Sequence, residues 1–130
     1  GYMTSVNEYL YDGDTVCIGR KGTIDSPMFH TGKIWTVDTL FFTHSFINSF
    51  PKYIYYVFQT INWKEYNEAS GVPSLSKSTI EKIKVSQPIF AEQTKIANFL
   101  TAIDDKINHC QAQIEKTELW KQGLLQKMFC

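Results

Sequence analysis

The spacing of hydrophobic and polar positions changes twice along this chain of 130 residues. In the first third, short apolar runs alternate with glycine-containing turns, which is typical of strands. The Asp-Gly-Asp run at residues 12–14 predicts a turn that leads into a short strand at residues 15–18. Apolar positions from Trp35 to Phe42 predict a second buried strand. We therefore expect β structure in this part of the chain.

Helical spacing begins at Pro51. Apolar residues then recur at steps of three and four as far as Ile61, which is the repeat of one helix face. Glycine and proline in residues 69–74 indicate a loop. Ser78 and Glu81 have the spacing of a capping box, which predicts a helical turn over residues 79–82. An extended segment is expected next, closed by Pro88.

The last third of the chain carries a heptad seam. Its steps of four and three residues alternate without a break, and only two of its positions are polar. A helix of about 39 residues would be roughly 60 Å long, which is more than the preceding small domain can cover, so we expect it to pair with another helix. The alternative is that it packs entirely on its own domain. The seam consists of Ile96, Leu100, Ile103, Ile107, Cys110, Ile114, Thr117, Lys121, Leu124 and Met128.

Composition and charge exclude several classes of protein. A hydrophobic fraction of 43% and a charged fraction of 20% are those of a folded domain, and no apolar stretch is long enough to span a membrane. Thirteen basic residues balance thirteen acidic ones, which argues against a broadly basic nucleic-acid binder but not against a local patch. The cysteines, Cys17, Cys110 and Cys130, form no disulfide or metal pattern, which predicts a cytoplasmic location.

Catalytic motifs are absent from the sequence. It contains no phosphate-binding glycine loop, dinucleotide fingerprint, zinc-protease motif or nucleophile elbow. His30, His44 and His109 lack metal-ligand spacing. Asp104 and Asp105 are adjacent and would diverge on a helix, which favours a solvated face over acid-base catalysis. We therefore predict that the protein is not an enzyme and has no metal site.

Two loops carry side chains suited to binding. Arg20, the only arginine, lies with Lys21 between two glycines, and an arginine fork suits guanine or phosphate. The serine-rich run at residues 70–78 includes Lys77 and offers small donors for phosphates and base edges. From these residues alone, a solvated hairpin turn and an ordinary connecting loop remain the more common alternatives.

Several segments of the chain form one recognisable combination. The run Ser-Gly-Val-Pro-Ser-Leu-Ser-Lys-Ser at residues 70–78 is followed by Ile-Lys-Val at residues 83–85. Pro88 and Glu-Gln-Thr-Lys-Ile-Ala at residues 92–97 then complete a Pro-x-x-x-Glu-Gln-x-x-Ile-Ala signature. Further matches lie at residues 13–14, 19–24, 35–39, 100–107 and 119–129. This combination resembles the specificity subunit of type I restriction-modification systems.

The resemblance implies an α+β fold. A small mixed β/α target recognition domain would occupy residues 1–88 and would lack its N-terminal part. One long helix of the coiled-coil type would occupy residues 89–130 and act as a spacer and docking surface. A full subunit of this kind has two recognition domains and two long helices, so this chain would be a half-subunit or a fragment.

The function implied by the resemblance is sequence-specific recognition of one half of a bipartite target in double-stranded DNA. The implied partners are the modification (methyltransferase) subunit, the restriction subunit, and either a second copy of the chain or a second long helix. S-adenosylmethionine is expected on the modification subunit, and no cofactor is expected here. The alternative function is a protein-interaction module that dimerises through its helix and does not bind DNA.

The candidate residues fall into two sets. The predicted DNA-binding residues are Gly19, Arg20, Lys21, Gly22, Thr23, Ser70, Gly71, Ser74, Ser76 and Lys77. The predicted helix-partner interface consists of Ile96, Leu100, Ile103, Ile107, Ile114, Leu124 and Met128.

Overall fold

The computed structural model describes residues 11–35 and 40–129. Within those ranges the secondary structure is α+β, as predicted. The strands are β1 (Tyr11–Gly19), β2 (Met28–Ile34) and β3 (Leu40–Phe42). The helices are α1 (Pro51–Thr60), a short 3-10 turn (Trp63–Tyr66), α2 (Lys77–Glu81) and α3 (Phe90–Phe129).

β1 is the central strand of an antiparallel sheet with the order β2-β1-β3. Cys17 pairs with Met28 on one side and with Phe42 on the other. The turn predicted at residues 12–14 is wrong, because these residues lie inside β1. Gly13 (φ 150°) pairs with Gly32 (φ 103°), so two glycines face each other and accommodate positive φ values within a continuous ladder.

No pattern in the sequence predicted β2. This strand lies at an edge of the sheet and carries several exposed polar residues, so it shows no clear apolar alternation. The strand predicted between Trp35 and Phe42 is confirmed only for β3. Trp35 lies outside the strands and is 53% exposed, and Val37 lies outside the described residues.

The core of the sheet domain joins residues that are far apart in sequence. Ile18 and Ile24 are buried against Trp63 and Leu75. The indole Nε1–H of Trp63 donates a hydrogen bond of 2.9 Å to the Phe58 carbonyl, so burial leaves this polar group satisfied. Since Leu75 belongs to the serine-rich run, this core also fixes the position of that loop.

The predicted helix from Pro51 is confirmed as α1. A helical turn after residue 76 is also present, but the predicted cap is wrong. Ser76, not Ser78, is the N-cap of α2, and its hydroxyl accepts a hydrogen bond of 3.3 Å from the Thr79 N–H. Ser76 can cap the helix because its backbone is extended, whereas Ser78 lies within the first turn.

A buried glutamine anchors the first turn of α3. The Gln93 Oε1 atom accepts a hydrogen bond of 2.9 Å from the Phe50 N–H, and Nε2 donates to the carbonyls of Asn48 (3.2 Å) and Pro88 (2.8 Å). Gln93 is fully buried, and these bonds satisfy its amide. Residues 83–89 before it form neither helix nor strand.

The chain divides into two compact units, the N-terminal unit (Gly1–Thr94) and the helical unit (Lys95–Cys130). The predicted long helix is confirmed as α3, which has 40 residues. Among the residues that the structure describes, no helix combines the length and apolar character needed to cross a membrane.

Candidate nucleic-acid interface

The two loops singled out by their residues are joined by backbone hydrogen bonds. Lys21 and Ser74 form an antiparallel β-bridge. The Gly22 N–H donates to the Pro73 carbonyl (2.8 Å), and the Leu75 N–H donates to the Arg20 carbonyl (2.8 Å). The structure therefore brings two segments about fifty residues apart in the chain into one surface. We call residues 19–23 and 70–77 together the loop cluster.

Both glycines of the first loop are required by its geometry. A Cβ atom on Gly19 would lie 1.9 Å from the Thr23 carbonyl oxygen, which is far inside contact distance. Gly22 has φ of 81°, a conformation that other residues adopt only with strain. These two glycines shape the turn that presents Arg20 and Lys21, and Gly19 itself is buried.

Arg20 is exposed and lies over an aromatic ring. Its guanidinium carbon is 5.5 Å from the centroid of the Phe41 ring, within cation–π range. Neither ion pair found among the described residues involves Arg20. Its donors are therefore available to an external acceptor, while stacking on the ring limits the orientations of the side chain.

Other members of the loop cluster differ in exposure. Ser74 and Ser76 are half-buried. Six further predicted residues are exposed to solvent: Lys21, Gly22, Thr23, Ser70, Gly71 and Lys77. Lys77 lies 3.8 Å from Glu81 in an i,i+4 pair whose side chains are 80% and 64% exposed. Such a solvated pair is weak, so the ammonium can exchange Glu81 for another anion.

Glu68 organises the second loop, a role that the sequence analysis did not predict. The hydroxyl of Ser76 donates a hydrogen bond of 2.8 Å to its carboxylate, and the hydroxyl of Thr79 donates another. The pKa of Glu68 is lowered first by the bond from Thr79, then by that from Ser76, with a smaller effect of the Lys82 charge. No local motif marks a glutamate that acts on residues eight and eleven positions later.

These bonds also define what Ser76 does in this structure. Its hydroxyl donates to Glu68 and accepts from the Thr79 backbone, so it holds the start of α2 in place. The backbone of Ser74 is similarly engaged, because its N–H donates to the Asn67 Oδ1 atom (3.0 Å) and its carbonyl accepts from the Glu68 N–H (3.0 Å). Direct DNA contact by either serine stays a prediction.

Within the described ranges, no three His, Cys, Asp or Glu side chains lie close enough together to bind a metal ion. Cys17 is buried, and burial raises the pKa of its thiol. A raised pKa disfavours the reactive thiolate, so Cys17 acts as a small core residue.

The seam of α3 is open to solvent over most of its length. Ile107, Ile114 and Met128 are 49%, 57% and 73% exposed. Ile103 and Leu124 are less exposed, and Ile96 and Leu100 are half-buried. Exposed apolar residues also lie off the predicted seam near the C-terminus: Leu119, Trp120, Leu125 and Phe129. An exposed apolar stripe of this extent indicates an interaction surface.

Fold and site define an α+β domain that presents a basic loop cluster and continues into a long helix with an exposed apolar seam. Residues 1–118 match the family described as the type I restriction modification DNA specificity domain. The chain belongs to this family, and the family resemblance seen in its sequence is confirmed.

Two curated relatives come from Methanocaldococcus jannaschii. The chain is 29% identical over 126 residues to the type I restriction enzyme MjaVIII specificity subunit, an alignment that covers 92% of this chain and 27% of the relative. It is 35% identical over 83 residues to the MjaIX specificity subunit, covering 56% of this chain and 19% of the relative. The chain thus spans about a quarter or less of the length of these relatives.

Proposed function

We propose that this chain is the DNA-recognition part of a type I restriction-modification specificity subunit. Its N-terminal unit would read one half of a bipartite duplex target. The observation that carries the proposal is the backbone link between the two loops, which brings together the segments that contain Arg20, Lys21 and Lys77. Family membership over residues 1–118 supports the same conclusion.

Each side chain of the loop cluster has a role in the proposal. Arg20 donates to a base edge, because its planar fork matches two acceptors and its stacking on Phe41 restricts its movement. Lys21 and Lys77 bind phosphates as exposed point charges. Thr23, Ser70 and Gly71 are exposed and can approach the backbone of the duplex. Ser74 and Ser76 hold the loop in shape, and their direct contact with DNA stays a prediction.

Catalysis would belong to the partner subunits. In this proposal the chain binds no cofactor, and methyl transfer from S-adenosylmethionine takes place on the modification subunit. The restriction subunit would dock on the same assembly. The part played by this chain is to select the DNA and position it.

The salt dependence of duplex binding tests the DNA-recognition role. Each phosphate neutralised by a protein cation releases counterions, so affinity falls steeply as salt increases. We expect wild-type binding to show this slope and Lys77→Ala to reduce the slope by roughly one unit for all sequences. Lys64→Ala is the matched control, because Lys64 is also an exposed, ion-paired lysine but lies outside the loop cluster. A wild-type chain that binds no duplex at low salt would favour the protein-interaction module instead.

The proposal also assigns a partner to α3, namely the α3 of a second copy, aligned antiparallel. The seam is symmetric about Ala112. Two antiparallel copies centred there pair Ile96 with Met128 and Leu100 with Leu124, and the remaining seam positions pair in the same way. This register places each Lys121 opposite Ile103 rather than opposite its own copy.

A parallel dimer in register fits the seam less well. It would place Lys121 against Lys121 and Thr117 against Thr117 inside the interface. Two like charges facing each other at a core position are destabilising. The polar positions of the seam therefore favour the antiparallel alignment.

Cysteine chemistry distinguishes these two alignments. A parallel dimer places Cys110 beside its own copy, close enough for a disulfide. In the antiparallel dimer the two Cys110 residues are offset by four residues, about 6 Å along the axis, and by a further 8–10 Å between axes, which is beyond disulfide reach. We expect no disulfide between Cys110 residues in the wild-type chain. In variants that lack Cys110 and Cys130, we expect no disulfide for Ile107→Cys alone or for Thr117→Cys alone. The double variant should form a disulfide that joins residue 107 of one copy to residue 117 of the other. A disulfide in either single variant would show a parallel alignment instead.

A further inference from the structure

A second cation lies on aromatic rings, at the other edge of the sheet from Arg20. The Lys52 Nζ atom is 4.5 Å from the centroid of the Phe29 ring, 5.0 Å from Tyr55 and 5.8 Å from Tyr56. All three distances are within cation–π range. Phe29 belongs to β2, whereas Lys52 and the tyrosines belong to α1. This aromatic site holds the ammonium in place without neutralising its charge.

Lys52 has no anionic partner among the residues that the structure describes. The two ion pairs found there involve Lys64 and Lys77 instead. The sequence around it explains this, because residues 39–64 contain no aspartate or glutamate. A half-buried ammonium whose charge is not balanced nearby can still donate hydrogen bonds to an external anion.

The phenol of Tyr55 adds a second donor at the same place. Its ring lies 5.0 Å from Lys52 Nζ and 5.9 Å from the Phe29 ring. Within the described ranges, its hydroxyl makes no hydrogen bond to another protein group. An ammonium and a phenol side by side are both donors that proteins use for phosphate oxygens.

The sheet register relates this site to the loop cluster. Phe29 pairs with Val16 and Phe41 pairs with Ile18, and Val16 and Ile18 are two residues apart on β1. Directly paired residues share a face, and residues two apart on a strand do too. Phe29 under Lys52 and Phe41 under Arg20 therefore lie on the same face of the sheet. Phe29 and Phe41 are two strand spacings apart across the sheet, about 10 Å, and two residues apart along it, about 7 Å, so they are separated by about 12 Å. The same face carries the buried residues Val16 and Ile18, so the two cations lie at opposite edges of the core. A separation of this size fits within one duplex footprint.

We propose that Lys52 and Tyr55 form a second phosphate contact for duplex DNA, separate from the loop cluster. The contact rests on the proposed DNA-recognition function and adds a site at the β2 edge of the sheet, across the buried core from Arg20. Holding Lys52 on three rings reduces the conformational entropy that a free lysine would lose on binding. A phosphate contact needs no base information, so this site adds affinity and fixes orientation without changing sequence preference.

The test measures the affinity of the full chain for a fluorescent duplex of mixed sequence at several salt concentrations. Lys52→Met removes the charge but keeps the apolar stem on the rings. We expect it to reduce the slope of log affinity against log salt by about 0.9, the value for one phosphate. Lys64→Met is the control and should keep the wild-type slope, because Lys64 is an exposed lysine outside both the aromatic site and the loop cluster. Lys52→Arg keeps both charge and stacking and should also keep the slope.

Tyr55→Phe tests the second donor without disturbing the rings. Losing one hydrogen bond should weaken binding about three- to tenfold with an unchanged salt slope, because a phenol releases no counterion. If the wild-type chain binds duplex and a folded Lys52→Met variant keeps the wild-type salt slope, this phosphate contact is overturned and the proposed function stays intact. If Lys52→Met does not fold, unchanged affinity of Tyr55→Phe overturns it. Failure of the wild-type chain to bind any duplex would overturn both proposals.

Discussion

The two compact units of this chain are stabilised over very different distances along the sequence. The core of the N-terminal unit packs Ile18 and Ile24 against Trp63 and Leu75, and its loop cluster joins Arg20 to Leu75. In the helical unit the regular contacts are local, as in the hydrogen bond from the Thr117 hydroxyl to the Gln113 carbonyl one turn earlier. The first unit therefore depends on closing long loops, and the second depends on what covers its apolar seam.

The difference between long-range and local contacts also affects what each unit can do. A recognition surface needs side chains held in fixed positions, and long-range packing provides that for Arg20 and its neighbours. A helix with an exposed seam provides a surface that is completed only by a partner. A substitution in one unit should therefore impair the stability or function of that unit and leave the other unit folded.

The largest expected effect is on the helical unit. Ile107→Asp places a carboxylate inside the seam, where an uncompensated charge costs about 3 kcal/mol or more per copy. Each dimer contains two such carboxylates, so we expect it to dissociate, with its dissociation constant raised about 10,000-fold or more, while the N-terminal unit stays folded. Sedimentation velocity measures the first outcome and urea unfolding the second. Asn108→Asp, one position along and off the seam, should leave the dimer intact.

A wild-type chain that sediments as a monomer at tens of micromolar would contradict self-association. In that case the modification subunit becomes the candidate that covers the seam.

The reciprocal experiment breaks the N-terminal unit. Gly19→Ala brings a methyl group to 1.9 Å from the Thr23 carbonyl, so the backbone of the loop cluster must move. We expect the free energy of unfolding of this unit to fall by about 1–3 kcal/mol, measured by urea titration of the fluorescence of buried Trp63. Gly71→Ala is the control, because a Cβ there meets no atom within 4 Å. Equal unfolding curves for the two variants would mean that the loop adapts without cost.

Arg20→Ala should leave both units folded and impair only recognition. Loss of a bidentate base contact costs about 1–3 kcal/mol of specific binding. A gel-shift titration against the preferred duplex, selected from a random library, measures this loss. Arg20→Lys keeps the charge but not the fork, so it should lose sequence preference as well. If Arg20→Ala keeps both affinity and preference, Arg20 is not part of the recognition site.

The smallest expected effect concerns Glu68. Its pKa is lowered in the folded chain by hydrogen bonds from Thr79 and then Ser76, so its ionised form stabilises the fold. This contribution is present above the ordinary glutamate pKa of 4.5 and is lost as the pH falls through the lowered folded value. We expect Glu68→Gln to be slightly less stable than wild type at pH 7, and the difference to shrink at pH 3. Urea midpoints at both pH values measure it, and a difference that is independent of pH would contradict the assignment.

Much of the helical architecture could be predicted from local pattern. The heptad seam and the periodicity after Pro51 predicted α3 and α1, and both are confirmed. The sheet was predicted less well. β2 was missed because an edge strand with exposed polar residues shows no clear alternation. Residues 12–14 were wrongly predicted as a turn, because an Asp-Gly sequence is typical of turns but here lies within a strand, where Gly13 pairs with Gly32.

The candidate site divides in the same way. Arg20, Lys21 and Lys77 could be selected by residue type and by family resemblance. Neither Glu68 nor the stacking of Lys52 on Phe29 could be found, because each depends on residues brought together only by folding. The interacting residues are too far apart along the chain to form a sequence motif of fixed spacing.

By itself the sequence determined the family, the long helix and its seam, because helix formation depends on hydrogen bonds and side-chain periodicity within one or two turns. It also determined the glycines that shape the first loop. Only the tertiary structure decided that the two loops form one surface, through the bridge between Lys21 and Ser74. It also decided that Phe29 and Phe41 share a face of the sheet. Strand pairing joins residues that no local repeat relates, since the partner of each strand is chosen by the packing of the whole unit.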